Sequence, residues 1–141
     1  MSTHTTTDLL HAYRKLLRAG LRAVQFSQPS RSTFTERLRE GFRDPGGKFE
    51  PERVRRTVWF LNAAAQARGI EHKILKNLCR VHWERVREAQ RTPWKVKIKA
   101  EMDAREGKRK VKDADVISGR QFEHYERTIQ MLNDTMGLCL R

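Results

Sequence analysis

The chain has 141 residues with 30 Lys or Arg against 17 Asp or Glu, and its formal net charge is +13. This length excludes a large multidomain enzyme, and the charge indicates a polyanionic partner. The two cysteines, Cys79 and Cys139, are too few for a disulfide framework, so both are expected to be buried thiols in a reducing compartment.

Apolar residues recur at intervals of three and four along the chain, which predicts an all-α protein. The first helix is predicted over residues 7–25. The first 26 residues contain four Lys or Arg and one acidic residue, Asp8, and all five lie in this helix. That composition fits a mitochondrial targeting helix and equally a structural helix. No apolar run approaches the roughly 18 residues of a membrane span, so no transmembrane segment is expected.

Thr33 and Glu36 match a capping box, which predicts the start of a second helix. Pro51 suits the first turn of a third helix. Apolar spacing continues through Gly69 as far as Pro93, so the third helix is predicted to be long and kinked at that glycine.

The composition changes after residue 91. Nine Lys or Arg face three acids over residues 91–112, which predicts a basic arm. A last amphipathic helix is predicted to begin at Ser118, and its apolar stripe must be buried. The stripe is either a client-binding seam or a further helix folded back on the bundle, and it consists of Phe122, Tyr125, Ile129, Leu132 and Met136.

Three segments in the first 91 residues carry a resemblance: Ala12-Tyr13-Arg14, the arginine-rich stretch Arg37–Arg43 that includes Phe42, and Val58–Asn62. Their order and spacing resemble the LYR-motif family, with Ala12 at the position of the family's leucine. Members of that family are small basic three-helix proteins of the mitochondrial matrix that bind acylated acyl carrier protein. They serve as assembly factors or accessory subunits of respiratory complexes, iron–sulfur machinery and the mitochondrial ribosome.

The resemblance implies a carrier-binding surface on the first two helices. It consists of Tyr13, Arg14, Arg18, Arg37, Arg39, Phe42 and Arg43. An acidic carrier with a fatty chain needs a positive rim and an apolar slot in its receptor. The predicted slot consists of small residues, namely Ala19, Gly20, Ala23, Ala63, Ala64 and Ala65. Without the resemblance, small residues between helices favour close packing, and such arginines favour a solvated face.

The basic arm has two interpretations that the sequence leaves open: an RNA-contacting segment with an aromatic among cations, or a tether that folds on a protein partner. Its candidate RNA-binding or client-binding residues are Trp94, Lys95, Lys97, Lys99, Lys108, Arg109, Lys110 and Lys112.

No pattern in the sequence indicates catalysis or a metal site. His72, Cys79 and His82 lack the further ligands of a structural zinc, and no phosphate loop or activated nucleophile is present. The chain is therefore not expected to be an enzyme or to carry a cofactor of its own; acylated phosphopantetheine would come from the carrier.

These inferences predict an antiparallel three-helix LYR-like bundle over residues 1–91, a basic arm over 92–117 and an amphipathic helix over 118–141. The predicted function is a mitochondrial matrix adaptor that binds acylated acyl carrier protein within a larger respiratory, iron–sulfur or ribosomal complex. The alternative is a mitochondrial ribosomal protein or ribosome-assembly factor that contacts rRNA through the arm.

Overall fold

The computed structural model describes residues 5–91, 94–105 and 113–140, and these ranges contain helices and no strand. The prediction of an all-α protein is therefore confirmed. In chain order the helices are α1 (Thr6–Ala23), α2 (Ser30–Arg43), α3 (Pro51–Gln66), α4 (Ile70–Arg91), α5 (Trp94–Arg105) and α6 (Asp113–Met136).

The first helix begins at a capping box, although not at the predicted one. The Thr5 hydroxyl accepts from the Asp8 backbone N–H at 3.3 Å, and the Asp8 carboxylate accepts from the Thr5 backbone N–H at 3.0 Å. The capping box predicted at Thr33 is wrong, because α2 already begins at Ser30. Thr33 is buried inside that helix, and its hydroxyl donates to the Pro29 carbonyl at 3.1 Å.

Pro51 is the first residue of α3, as predicted, but the long third helix is wrong. The chain leaves the helix at Ala67, whose backbone is extended with φ −135° and ψ 148°. A new helix, α4, begins at Ile70, so the region around Gly69 is a break and not a kink.

The core gives the physical reason for this break. Leu61 of α3 and Cys79 of α4 belong to one buried cluster. In one continuous helix the rise of about 1.5 Å per residue would hold them roughly 27 Å apart. Folding α4 back onto α3 lets both residues leave water together.

Four helices form a ring around this cluster. α1 packs against α2 and α3, and α4 packs against the same two helices. The cluster inside the ring consists of Leu16, Ala19, Ala23, Val24, Leu61, Ala64, Leu75 and Cys79. The arrangement is thus a ring of four short helices where the sequence predicted a bundle of three.

A second core cluster joins the ring to the end of the chain. It contains Phe60, Leu78, Leu138 and Leu140, and Ile129 and Leu132 of α6 pack against it. The last helix therefore folds back on the bundle, which was one of its two predicted roles. The cluster contains residues from both sides of the predicted boundary at residue 91.

Residues 138–140, which we call the C-terminal latch, are held by the end of α6. Gly137 adopts φ 63°, and the Leu138 backbone N–H donates to the Asn133 carbonyl at 2.9 Å, which ends the helix in a Schellman motif. The Asn133 side chain then brackets Leu140: its Nδ2 donates to the Leu140 carbonyl at 2.6 Å, and its Oδ1 accepts from the Leu140 N–H at 3.0 Å.

The middle residue of the latch bonds to α3. The Cys139 backbone N–H donates to the Thr57 hydroxyl oxygen at 2.9 Å, and the two side chains lie 3.1 Å apart at Sγ and Oγ1. The Thr57 hydroxyl also donates to the Arg53 carbonyl at 2.7 Å. Cys79 is buried as predicted, but Cys139 is exposed, because the apolar neighbours Leu138 and Leu140 take the inward positions.

Candidate functional site

An apolar cavity of about 370 Å³ lies inside the helix ring. All four ring helices and the latch contribute to its wall. Its apolar lining includes Leu9, Leu16, Phe34, Leu38, Phe42, Val54, Leu61, Leu75, Leu78 and Leu140. The volume falls within the range of about 300–1,000 Å³ of small-molecule pockets, and such a lining favours an apolar ligand.

Of the seven predicted carrier-binding residues of α1 and α2, Arg37 and Phe42 line this cavity, and Tyr13 packs against Phe42. The Tyr13 and Phe42 rings pack edge to face with centroids 5.3 Å apart and an interplanar angle of 84°. Phe42 and Arg37 line the cavity. Arg14, Arg18, Arg39 and Arg43 are exposed on the same two helices.

The predicted slot residues lie elsewhere. Ala19, Ala23 and Ala64 are buried in the core, and a Cβ at Gly20 would overlap the Phe34 ring. Ala63 and Ala65 are half-buried. None of the six lines the cavity, so these small residues let α1 approach its neighbours closely, and the larger side chains enclose the empty space.

The basic arm is described in part. Trp94 begins α5 and is 73% exposed, and Lys99 of the same helix is exposed. Lys95 and Lys97 belong to α5, but their side chains lie outside the described part of the chain. Lys108, Arg109, Lys110 and Lys112 also lie outside the described residues.

A cluster of polar and aromatic side chains around Arg85 lies between α4 and α6. The Arg85 guanidinium stacks over the Phe122 ring at 4.1 Å and lies 5.9 Å from the Tyr125 ring centroid. Its Nη1 donates to the Glu126 carboxylate at 2.8 Å. Nothing in the sequence singled out Arg85, because an arginine on a charged helix gives no signal of its contacts. Tyr125 was predicted only as part of an apolar stripe.

Titratable groups beside this feature respond to burial and to the nearby guanidinium groups. Burial raises the pKa of Cys79 to about 11, and Arg37 partly offsets the rise. Burial lowers the pKa of His82, and Arg37 lowers it further. Burial raises the pKa of Tyr125, with Arg85 and Arg37 acting in the opposite direction. Near neutral pH all three side chains are therefore uncharged.

Across the described ranges, no set of three or more His, Cys, Asp or Glu side chains is placed to hold a metal ion. None of the helices in that part of the chain combines the length and apolar character needed to cross a membrane.

Comparison with known proteins finds a similar protein in Schizosaccharomyces pombe (strain 972), described as a UPF0593 mitochondrial protein. The two are 39% identical over 83 residues, which cover 57% of this chain and 66% of the relative. The matched stretch thus spans just under two thirds of the relative's length. No protein-family model matches the chain. No solved structure matches it either.

Proposed function

We propose that this protein is a non-enzymatic mitochondrial adaptor that binds acylated acyl carrier protein. The observation that carries the proposal is the largely apolar cavity, which Arg37 lines and to which α1 and α2, the helices with the exposed arginines, both contribute. The fatty chain would lie in the cavity, and the exposed arginines would contact the acidic carrier. The acylated phosphopantetheine belongs to the carrier, and the adaptor supplies no cofactor of its own.

The cavity makes the lipid a structural component in this proposal. Each buried methylene contributes about 0.8 kcal/mol, so a chain of about eight methylenes contributes on the order of 6 kcal/mol. The leucine and phenylalanine side chains of the wall would contact the chain. The charged side chains of the wall are Arg37, Asp44, Lys48, Glu50 and Arg53.

The charge of the whole chain supports the choice of partner. A net charge of +13 attracts an acidic protein over a long range and raises its association rate. The similarity to a mitochondrial protein of fission yeast supports a mitochondrial location. We place the adaptor in the matrix, on a larger respiratory, iron–sulfur or ribosomal complex.

Charge reversal tests the carrier contact. The double variant Arg14→Glu with Arg39→Glu should weaken binding of purified acylated carrier by at least about 100-fold in calorimetry, because like charges then face each other. The matched control is Lys73→Glu with Lys76→Glu, which changes the net charge equally on exposed positions of α4. Equal losses in both variants, or none in either, would contradict the assigned surface.

Removing the acyl chain tests the cavity separately. Carrier with a bare phosphopantetheine should bind at least about 100-fold more weakly than acylated carrier, since the burial of the chain is lost. Equal affinities for the two carrier forms would show that the cavity does not hold the chain.

A second candidate function, contact with mitochondrial rRNA, is favoured by the exposed Trp94 and Lys99 of α5. Bases stack on aromatic rings while ammonium groups meet phosphates. If RNA is the partner, affinity should fall with salt by a log–log slope of about 0.7–0.9 per phosphate contact. Neutralising Lys108, Arg109 and Lys110 should then reduce that slope, and an unchanged slope would exclude the arm as the RNA contact.

A further inference from the structure

Four buried side-chain atoms have no hydrogen-bond partner within the described ranges, and all four belong to three residues. They are Nε of Arg37, Nε and Nη2 of Arg85, and the hydroxyl oxygen of Tyr125. These residues come from α2, α4 and α6. Buried polar atoms are nearly always paired, so a concentration of unpaired donors indicates a ligand that completes them.

Arg85 is fixed in one orientation by its other contacts. The guanidinium plane lies over the Phe122 ring, and Nη1 is bonded to Glu126. The remaining edge, formed by the Nε–H and an Nη2–H, presents two parallel donors. This edge matches the two oxygens of a carboxylate or a phosphate, which arginine binds in a bidentate manner.

Arg37 and Tyr125 add donors of the same kind. The Nη1 of Arg37 forms a long ion pair with the Glu40 carboxylate at 3.7 Å, and its buried Nε has no hydrogen-bond partner among the described residues. The hydroxyl of Tyr125 stays protonated, since burial raises its pKa. Arg37 and Arg85 both lower the pKa of His82, whereas Glu40 and Glu36 raise it. The same two guanidinium groups act against the burial of Tyr125 by lowering its pKa, so both lie near its hydroxyl.

We propose that Arg37, Arg85 and Tyr125 form a binding site for an oxyanion, either a carboxylate or a phosphate group. Arg37 also lines the apolar cavity, so the oxyanion can be the head group of a fatty acid whose chain enters that cavity, or a free phosphate. This site requires no carrier protein, and a fatty acid bound there would compete with a carrier's acyl chain for the cavity.

The proposal is tested on the purified full chain at constant ionic strength. Calorimetric titrations use sodium phosphate, acetate and decanoate, with chloride as the reference salt. Saturable binding is expected, and Arg85→Gln should weaken it by about tenfold or more, because a charged bidentate contact is lost. Tyr125→Phe keeps the ring and should weaken it about threefold or more. The control Arg80→Gln changes an exposed arginine of the same helix and should leave affinity unchanged.

The ligands separate the two sources of the oxyanion. Decanoate binding far more tightly than acetate identifies a fatty-acid site, whereas phosphate binding most tightly identifies a phosphate site. A second readout is the pKa of His82 by NMR, which the bound anion should raise. Absence of saturable binding, or unchanged affinity in both Arg85→Gln and Tyr125→Phe, would overturn the proposal.

Discussion

Replacing Asn133 by alanine tests how much the C-terminal latch contributes to stability. The side chain of Asn133 makes both hydrogen bonds that hold Leu140 in place, at 2.6 and 3.0 Å. Leu140 is 6% exposed in the second core cluster. The substitution therefore removes two polar contacts and the restraint on a buried side chain.

The expected loss follows from these contacts. Each hydrogen bond contributes about 1 kcal/mol, and exposure of a leucine side chain costs about 1.5–3 kcal/mol. Alanine at a helical position returns about 0.5 kcal/mol through its higher helix propensity. We expect the free energy of unfolding to fall by about 3–4.5 kcal/mol in Asn133→Ala.

Urea unfolding followed by circular dichroism measures this change as a lower midpoint. The matched control is Asn77→Ala, which makes the same substitution at an exposed position of α4 and should change stability by less than about 0.5 kcal/mol. Faster hydrogen exchange at the Leu140 amide should accompany the loss. If Asn133→Ala is as stable as the control, the latch contributes nothing and the reasoning is refuted.

Three further predictions concern the core and its titratable groups. At pH 8 iodoacetamide should modify Cys139 well before Cys79, because a pKa of about 11 leaves only about one in a thousand Cys79 side chains as the reactive thiolate. Equal modification rates of the two cysteines, measured by mass spectrometry, would contradict the burial of Cys79. Folding lowers the pKa of His82, so His82 of the unfolded chain binds a proton first as the pH falls. The free energy of unfolding should therefore decrease from about pH 7 toward pH 5. In urea titrations, His82→Gln should remove this part of the pH dependence. Leu61→Ala should cost about 2–5 kcal/mol of unfolding free energy, against less than about 0.5 kcal/mol for an exposed control on α3 such as Asn62→Ala, and similar values for both would refute the core assignment.

Most helical segments and their buried faces, although not all their ends, could be predicted from the sequence, because apolar spacing reports which side of a helix leaves water. Leu16 of α1 belongs to the predicted apolar face of its helix and Phe34 of α2 to that of its own; Leu16 lies in the first core cluster, and Phe34 packs against it. The break at Ala67 could not be predicted in this way. The same spacing of Ile74 and Leu78 serves a straight helix and a helix that turns back, and only the partners of Leu78 decide between them.

The candidate site was likewise predicted only in part from the sequence. Tyr13 and Phe42 were predicted to act together, and their rings are in contact. The cavity was expected among small residues, yet Gly20 is covered by the Phe34 ring and the space lies among larger side chains. Empty volume depends on how helices are spaced, and residue size alone does not determine that spacing.

The position of the latch residues in the core also governs when folding can finish. A chain that emerges N-terminus first from a ribosome or a translocation channel leaves Phe60 and Leu78 uncovered until residues 138–140 follow. The second cluster therefore closes only after residues 138–140 have been released. Until then, the exposed side chains of Phe60 and Leu78 form an apolar surface that a chaperone can bind.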